Sequence, residues 1–391
     1  MRNQPWVNWL LVTGLLITLA AGAYLLWPGG RATEQSPLDL GDILRLLDTE
    51  AGNAAPSPDK AHRYVFPADH GPHPQHRTEI WDLRAVLVGD EGEPIGLRAT
   101  FLRLALAPPT RPKRASSLAA DELIAGQVTL SLNDAKAASQ HQRASRAVLG
   151  IAGSGSDPAA VWIEDWRLEH VGAGDWILGV QLDIGRIQLR LANAAPAGAV
   201  LTEDDLGPVN GSRIDAIHRY QQPRLAAAGT IGTAAGDRPV SGSAWLEHGW
   251  GDIGAILGGR QGQLRANRFQ LRVKDDTTLH CIELRRIGGG GTPIPSCTLI
   301  AANGTRQRFQ RRELRLTPDE RTWRGPDGVD YPLSWDIAIP SANLTLRAEP
   351  LIEDQRLRLL DQPIWSGAVV VGGTYDGVEV TGSGWVELTG G

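Results

Sequence analysis

An eight-residue block that occurs twice constrains this chain more than any other feature. Val240-Ser241-Gly242-Ser243-Ala244-Trp245-Leu246-Glu247 returns as Val380-Thr381-Gly382-Ser383-Gly384-Trp385-Val386-Glu387. Shorter matches precede it in the same order. Trp81-Asp82-Leu83-Arg84 answers Phe269-Gln270-Leu271-Arg272, and Asp165-Trp166-Arg167-Leu168 answers Glu313-Leu314-Arg315-Leu316. Ile187-Gln188-Leu189-Arg190 answers Leu344-Thr345-Leu346-Arg347. The offset falls from 188 at Trp81 to 140 at Trp245, so the first copy carries about 48 additional residues. At 391 residues the chain exceeds what one core usually serves. Two copies of one unit, each near 140 residues without insertions, predict an all-β body of two tandem antiparallel β-barrels.

The local pattern agrees. From Arg63 onward the hydrophobic period is two, and strands are expected over 80–88, 97–106, 127–132, 160–168, 176–182, 186–191, 268–274, 279–287, 297–302 and 343–348. Turn pairs separate them, among them Asn303-Gly304, Asp327-Gly328 and Asp376-Gly377. The Ala/Ser-rich stretch 108–145 reads as an irregular insertion, and 194–216 as a second loop. The barrels are expected over 62–252 and 253–391. The two cysteines, Cys281 and Cys297, flank the turn Gly288–Gly291 symmetrically, which places them opposite one another in a hairpin. Opposed strand residues lie about 4.5–5.5 Å apart at Cα, within disulfide reach. A disulfide is therefore expected, with a pair of reduced core thiols as the alternative.

Trp6 to Trp27 is a charge-free run of 22 residues, enough to span a bilayer, with tryptophan at both interfaces. It predicts an N-terminal transmembrane helix within 1–30. A cleaved signal ending at Ala21-Gly22-Ala23 is the alternative, although the apolar run continues past that site. Arg2 and the α-amine precede the run, so the body is expected in the periplasm, held to the inner membrane. A linker with one short amphipathic helix, about 38–50, is expected over 31–61. With net charge −5 and no dense Lys/Arg run, nucleic acid is not expected as a partner.

Phe66-Pro67-Ala68-Asp69-His70-Gly71-Pro72-His73-Pro74-Gln75-His76-Arg77-Thr78-Glu79-Ile80-Trp81 resembles the FPxDHGxHPxxRxEWW opening of the AttH-like family. That family is also called lipocalin-like, is often labelled secreted hydrolase, and is related to carotenoid 1,2-hydratases. Ser241 to Trp250 resembles its SGxAWxDHEW motif, and Thr381 to Gly390 its closing TGxGYxELTG. The resemblance covers roughly 62–391 and implies two lipocalin-like barrels with a ligand space lined by motif residues. The chain departs from the pattern at Ile80, for the second Trp of EWW, and at Asp82, for the following Tyr. Glu247 stands for the Asp of DHEW and Gly249 for its Glu. The aromatic-rich GWDWF segment is replaced by Leu264–Phe269, and a tyrosine cluster is reduced to Tyr220.

Candidate chemistry follows from strand parity. Glu79 shares a face with Trp81 and Leu83, and a buried carboxylate there is a general acid/base, a polar anchor for a ligand, or a structural ion pair with Arg77 or another arginine. A histidine at 248 can deliver a proton near neutral pH or cap the barrel rim, and the second copy has Leu388 at its place, which marks it out. The expected site therefore has Glu79 and His248 as catalytic residues, with Trp81, Tyr220, Trp245, Glu247 and Trp250 as ligand-binding residues. His70, His73 and His76 at period three are read as a hydrogen-bonded opening loop and not a metal site, because Gly71, Pro72 and Pro74 preclude a helix. No cofactor motif is present: there is no P-loop, GxSxG elbow or GxGxxG after a strand. Two functions are open. One is binding of an apolar or amphiphilic small molecule, in partnership with an ABC-type export permease as the family resemblance implies. The other is a hydratase or lyase adding water to an isoprenoid-like alkene, by protonation of the double bond.

Overall fold

The computed structural model describes residues 62–391 apart from 107–115, 117–118, 173, 194–199, 207–216, 234–235, 252–263, 274–275, 287–289, 327, 358–363 and 390–391. The expected span over 6–27 and the amphipathic helix over 38–50 lie outside the described residues. Among those described, no helix is long and apolar enough to cross a membrane.

The first sheet contains β1 (Thr78–Gly89), β2 (Pro94–Ala105), β3 (Glu122–Leu132), β4 (Ser139–Arg146), β5 (Ala152–Ser156) and β6 (Ala159–Ile163). It continues with β7 (Trp166–Val171), β8 (Asp175–Leu182), β9 (Gly185–Asn193), β10 (Leu201–Thr202), β11 (Ile217–Thr233) and β12 (Gly236–Gly251). The second sheet has β13 (Leu264–Val273), β14 (Thr278–Arg286), β15 (Ile294–Ile300), β16 (Arg306–Gln310) and β17 (Arg315–Pro318). A small ribbon, β18 (Trp323–Arg324) and β19 (Asp330–Tyr331), stands apart. The second sheet then resumes with β20 (Trp335–Ile339), β21 (Leu344–Pro350), β22 (Arg356–Leu357), β23 (Ile364–Tyr375) and β24 (Val378–Thr389).

Both sheets are antiparallel and follow one plan. The first runs β4-β3-β2-β1-β12-β11-β9-β8-β7-β6-β5 and the second β16-β15-β14-β13-β24-β23-β21-β20-β17, so the last long strand returns beside the first. Each sheet curls into a barrel-like, nearly closed body around its own core. Leu83, Phe101, Trp166, Trp176 and Leu246 fill the first, and Phe269, Trp335, Leu346 and Trp365 the second.

Three sequence expectations are corrected. The stretch 108–145 is not wholly irregular, since β3 begins at Glu122 and β4 occupies 139–146. β4 pairs along β3 although its side chains are mostly polar and partly exposed, which hides an edge strand from a hydrophobic pattern. The single strand expected over 160–168 is two, β6 and β7, joined by a tight turn at Glu164-Asp165 with Glu164 at φ 55°. No glycine advertises that turn. The repeat also slips by two residues at its first strand. Leu83 pairs with Leu246, whereas Val386, the counterpart of Leu246, pairs with Phe269. Leu83, not Trp81, is thus the partner of Phe269.

The other faces of β1, β2, β12, β13 and β24 meet between the barrels. Trp245 and Trp385 sit together there with Val86 and Ala368. Arg84, which pairs with Trp245, donates to Oε1 of Gln270, which pairs with Trp385 (3.0 Å). Asp82 accepts from Arg84, from Arg98 (2.8 and 2.9 Å) and from Thr100 (2.8 Å). Arg98 also reaches Glu387 at 3.1 Å. β1 is consequently buried on both sides from Thr78 to Leu87.

Candidate functional site

At one end of the first barrel the segment 62–77 folds over the ends of β1, β11 and β12. Glu79, on β1, is fully buried and lies at the centre. Its Oε1 accepts from Nε2 of His248 on β12 and from Nδ1 of His73, both at 2.8 Å. The backbone N–H of His73 donates to both carboxylate oxygens (3.0 and 2.9 Å). Oε2 also accepts from Nε of Arg103 at 2.9 Å. Arg103 further donates to the carbonyls of His73 (2.8 Å) and His76 (2.9 Å), which ties the opening segment to β2.

The cluster extends through Tyr220 of β11. Nδ1 of His248 faces the Tyr220 hydroxyl at 3.3 Å and the Asp69 carbonyl at 3.1 Å. The same hydroxyl lies 2.6 Å from Nδ1 of His70. Aromatic faces enclose these groups: Trp81 stacks on His248 with centroids 4.6 Å apart, and Trp250 on His73 at 3.5 Å. Above Tyr220 lie the rings of Tyr64 (5.9 Å) and Phe66 (4.9 Å).

Burial acts on every member. It raises the Glu79 carboxyl, but hydrogen bonds from His248 and His73 and the charges of His248 and Arg103 prevail and hold it well below the usual range. His248 is pushed below its ordinary value by burial, against the pull of Glu79. Burial lowers His70 to about 3, reinforced by His170 and His248. Tyr220 is raised well above its ordinary value by burial, then by the charges of Asp69 and Glu79. Near neutral pH the set is therefore an ionised carboxylate, a neutral imidazole oriented by it, and a protonated phenol. When Nδ1 of His248 takes a proton, it gains the Asp69 carbonyl as acceptor.

Strand parity separates the sequence-predicted residues. Glu79, Trp81, Tyr220, His248 and Trp250 come together. Glu247 and Trp245 do not, because they alternate with His248 on β12 and point to the other barrel. Glu247 pairs with Arg219 at 3.0 Å and Arg84 at 3.6 Å, and Trp245 belongs to the inter-barrel contact. The ion-pair reading of Glu79 is met by Arg103, which sequence reasoning did not single out. Its signal was available, since Ala99, Phe101 and Arg103 alternate inward along β2. The departures Ile80 and Gly249 are a cross-strand pair on the outer face, with Asp82 beside them. The substitutions thus spare the inner cluster.

Among the described residues, two trios have metal-ligating geometry, His62, Asp69 and His73, and His73, Glu79 and His248, with donor atoms within 4.8 Å. Their nitrogens are already engaged with carboxylates, and the Arg103 cation occupies Glu79. A metal there would have to displace protons and compete with a guanidinium, so the residues fit a proton network better than an ion.

The sequence profile of the AttH-like family matches residues 57–391. The chain belongs to the AttH-like family. Among curated proteins none matches it. Of solved structures, a protein assigned as AttH from Nitrosomonas europaea is 24% identical, covering 86% of this chain and 99% of that one, with a TM-score of 0.67. Kievitone hydratase from Nectria haematococca is 15% identical, covering 86% and 96%, with a TM-score of 0.59. Both likenesses establish the shared fold of this AttH-like chain.

Proposed function

We propose that the inner end of the first barrel is a proton-transfer site of hydratase or lyase type, acting on an alkene conjugated to a carbonyl. The carrying observation is the continuous chain Glu79–His248–Tyr220–His70, buried between Trp81 and Trp250. Glu79 orients His248 so that Nδ1 is the free base. In the addition direction, water gives a proton to this relay as its oxygen bonds to the alkene carbon. The π electrons move onto the conjugated carbonyl, and the Tyr220–His70 end returns a proton to the neighbouring carbon. Elimination reverses these steps. A neutral imidazole beside an ionised carboxylate is a base, so base-first addition fits better than the alkene protonation expected from sequence. Substrate reaches Tyr220 when Tyr64 and Phe66 move aside. That a structural neighbour bears the name hydratase supports the reading.

A second reading, ligand binding without turnover, is favoured by one observation: the oxygens of Glu79 are already saturated by protein donors. Incubation with a panel of enones in 18O-water separates the two. Label in a newly formed hydroxyl, as distinct from exchange at the carbonyl, supports the enzyme, and co-purification of an unchanged apolar ligand with no such label supports binding. Anchoring through 6–27 at the inner membrane and partnership with an ABC-type permease complete the proposal. They predict that the full chain fractionates with the inner membrane and co-purifies a permease, and release by osmotic shock counts against both.

A further inference from the structure

The register of the two sheets identifies a second place for a ligand. With Leu83 matched to Phe269, Trp81 matches Asn267, and their strand partners Phe101 and Glu283 match in turn. The end of the second barrel at Asn267 and Glu283 thus corresponds to the end of the first that holds Glu79 and His248. In the first barrel the segment 62–77 fills that end. In the second, the same end opens into a cleft of about 570 Å³, within the range of about 300–1,000 Å³ of small-molecule sites.

The cleft has a polar floor, apolar walls and a cationic rim. Glu283 forms the floor, 4% exposed, and accepts from Nδ2 of Asn267 at 3.1 Å. Arg285 lies 3.9 Å from it. Leu314 and Leu316 are buried walls, whereas Ile294 is 41% exposed at the mouth. Arg311, Arg312 and Arg315 line the rim and are exposed. Arg311 is held at φ 51°, in the left-handed region that a residue with a side chain seldom adopts.

We propose that this cleft binds an amphiphilic anion, its hydrocarbon body against Ile294, Leu314 and Leu316 and its acidic head group at Arg311, Arg312 and Arg315. The wall area is too apolar for a free inorganic anion, and the rim carries the wrong sign for a cationic amphiphile. Burial raises the Glu283 carboxyl, so the floor repels the incoming anion less than an ordinary carboxylate would. The site is separate from the first-barrel cluster and does not depend on its chemistry.

The test uses the full chain in maltoside micelles, a diazirine-bearing hexadecanoate photoprobe and its alkyltrimethylammonium counterpart, with peptide mapping of the adducts. Saturable anionic labelling is expected within 290–317. Combined Arg311→Glu, Arg312→Glu and Arg315→Glu should reduce it at least tenfold. Leu314→Trp, which fills the cleft, should do the same with the rim intact, so loss of folding in one variant leaves the other decisive. Tyr220→Phe should leave labelling unchanged. Adducts concentrated in 62–81 or 217–250, labelling indifferent to both cleft variants, or equal labelling by the cationic probe would overturn the proposal.

Discussion

Tyr220 has one hydroxyl proton and two imidazole neighbours, so it donates to one and accepts from the other. That makes it the residue at which a relay and a scaffold can be told apart. Glu79→Gln is a poor test, because it leaves Arg103 buried with a weakened partner, and breaking such a pair costs about 3–5 kcal/mol. Tyr220→Phe keeps volume and charge and should cost about 1–3 kcal/mol in stability. Turnover should fall by about 10²–10⁴. If kcat stays within a factor of about two of wild type while the protein folds, the relay is wrong. The same scale shows what sequence reasoning read well. Alternation placed Glu79 and Trp81 on one inner face, as found. Applied equally to β12, it would have put Glu247 and Trp245 opposite to His248; proximity in the motif obscured that parity.

The repeated strand owes its glycine to backbone contact. A Cβ on Gly242 would lie 2.1 Å from the carbonyl oxygen of Val86, and one on Gly382 would lie 2.1 Å from that of Arg272. Neither neighbour can retreat without breaking its ladder. Gly242→Ala and Gly382→Ala should therefore each destabilise by several kcal/mol, on the order of other overpacked sites. Gly372→Ala, with nothing within 4 Å, should change stability by less than about 1 kcal/mol. Urea denaturation of the three variants checks the contrast, and equal midpoints would refute it. The hairpin β14–β15 confirms the symmetry argument for the disulfide. Cys281 pairs with Cys297, their Cα atoms are 4.1 Å apart, and they are bonded. Reduction releases a loop of 16 residues and should cost about 3 kcal/mol. Comparing melting with and without reductant measures it, and an unchanged Tm would show that the bridge adds nothing.

Across the whole molecule, the two barrels join through buried charge as well as apolar contact. Asp82, Arg84, Arg98, Glu247 and Glu387 form ion pairs on this face. Acid should weaken the assembly for two additive reasons. His70 and His280 are lowered to about 3 and His76 to about 4, each chiefly by burial. The unfolded chain binds protons at these histidines below pH 6.5 while the folded chain does not, so their stabilising share is complete above pH 6.5 and lost as pH falls toward 4 for His76 and toward 3 for His70 and His280. Glu79 and Glu247 are also lowered, burial being overcome by hydrogen bonds and arginine charge. Their share is present above about pH 4.5 and lost below it. Thermal unfolding at pH 7.5, 6, 5 and 4 should show a steady decline in Tm, beginning before the carboxylates titrate. A flat profile between 7.5 and 5 would contradict the histidine part.

Much was settled by sequence alone: the all-β class, two related units, the facing cysteines, and the inward placement of Glu79 and Trp81. These are consequences of periodicity and repetition, which depend only on neighbours along the chain. The tertiary structure decided what lies across strands. It chose Arg103 as the partner of Glu79, drew His70 and His73 of the opening segment onto Tyr220 and Glu79, and shifted the repeat by two residues at its first strand. It also turned Glu247 and Trp245 away from the first barrel. Which buried groups meet is set by strand register and by packing of one barrel on the other, and both arise from contacts far apart in sequence.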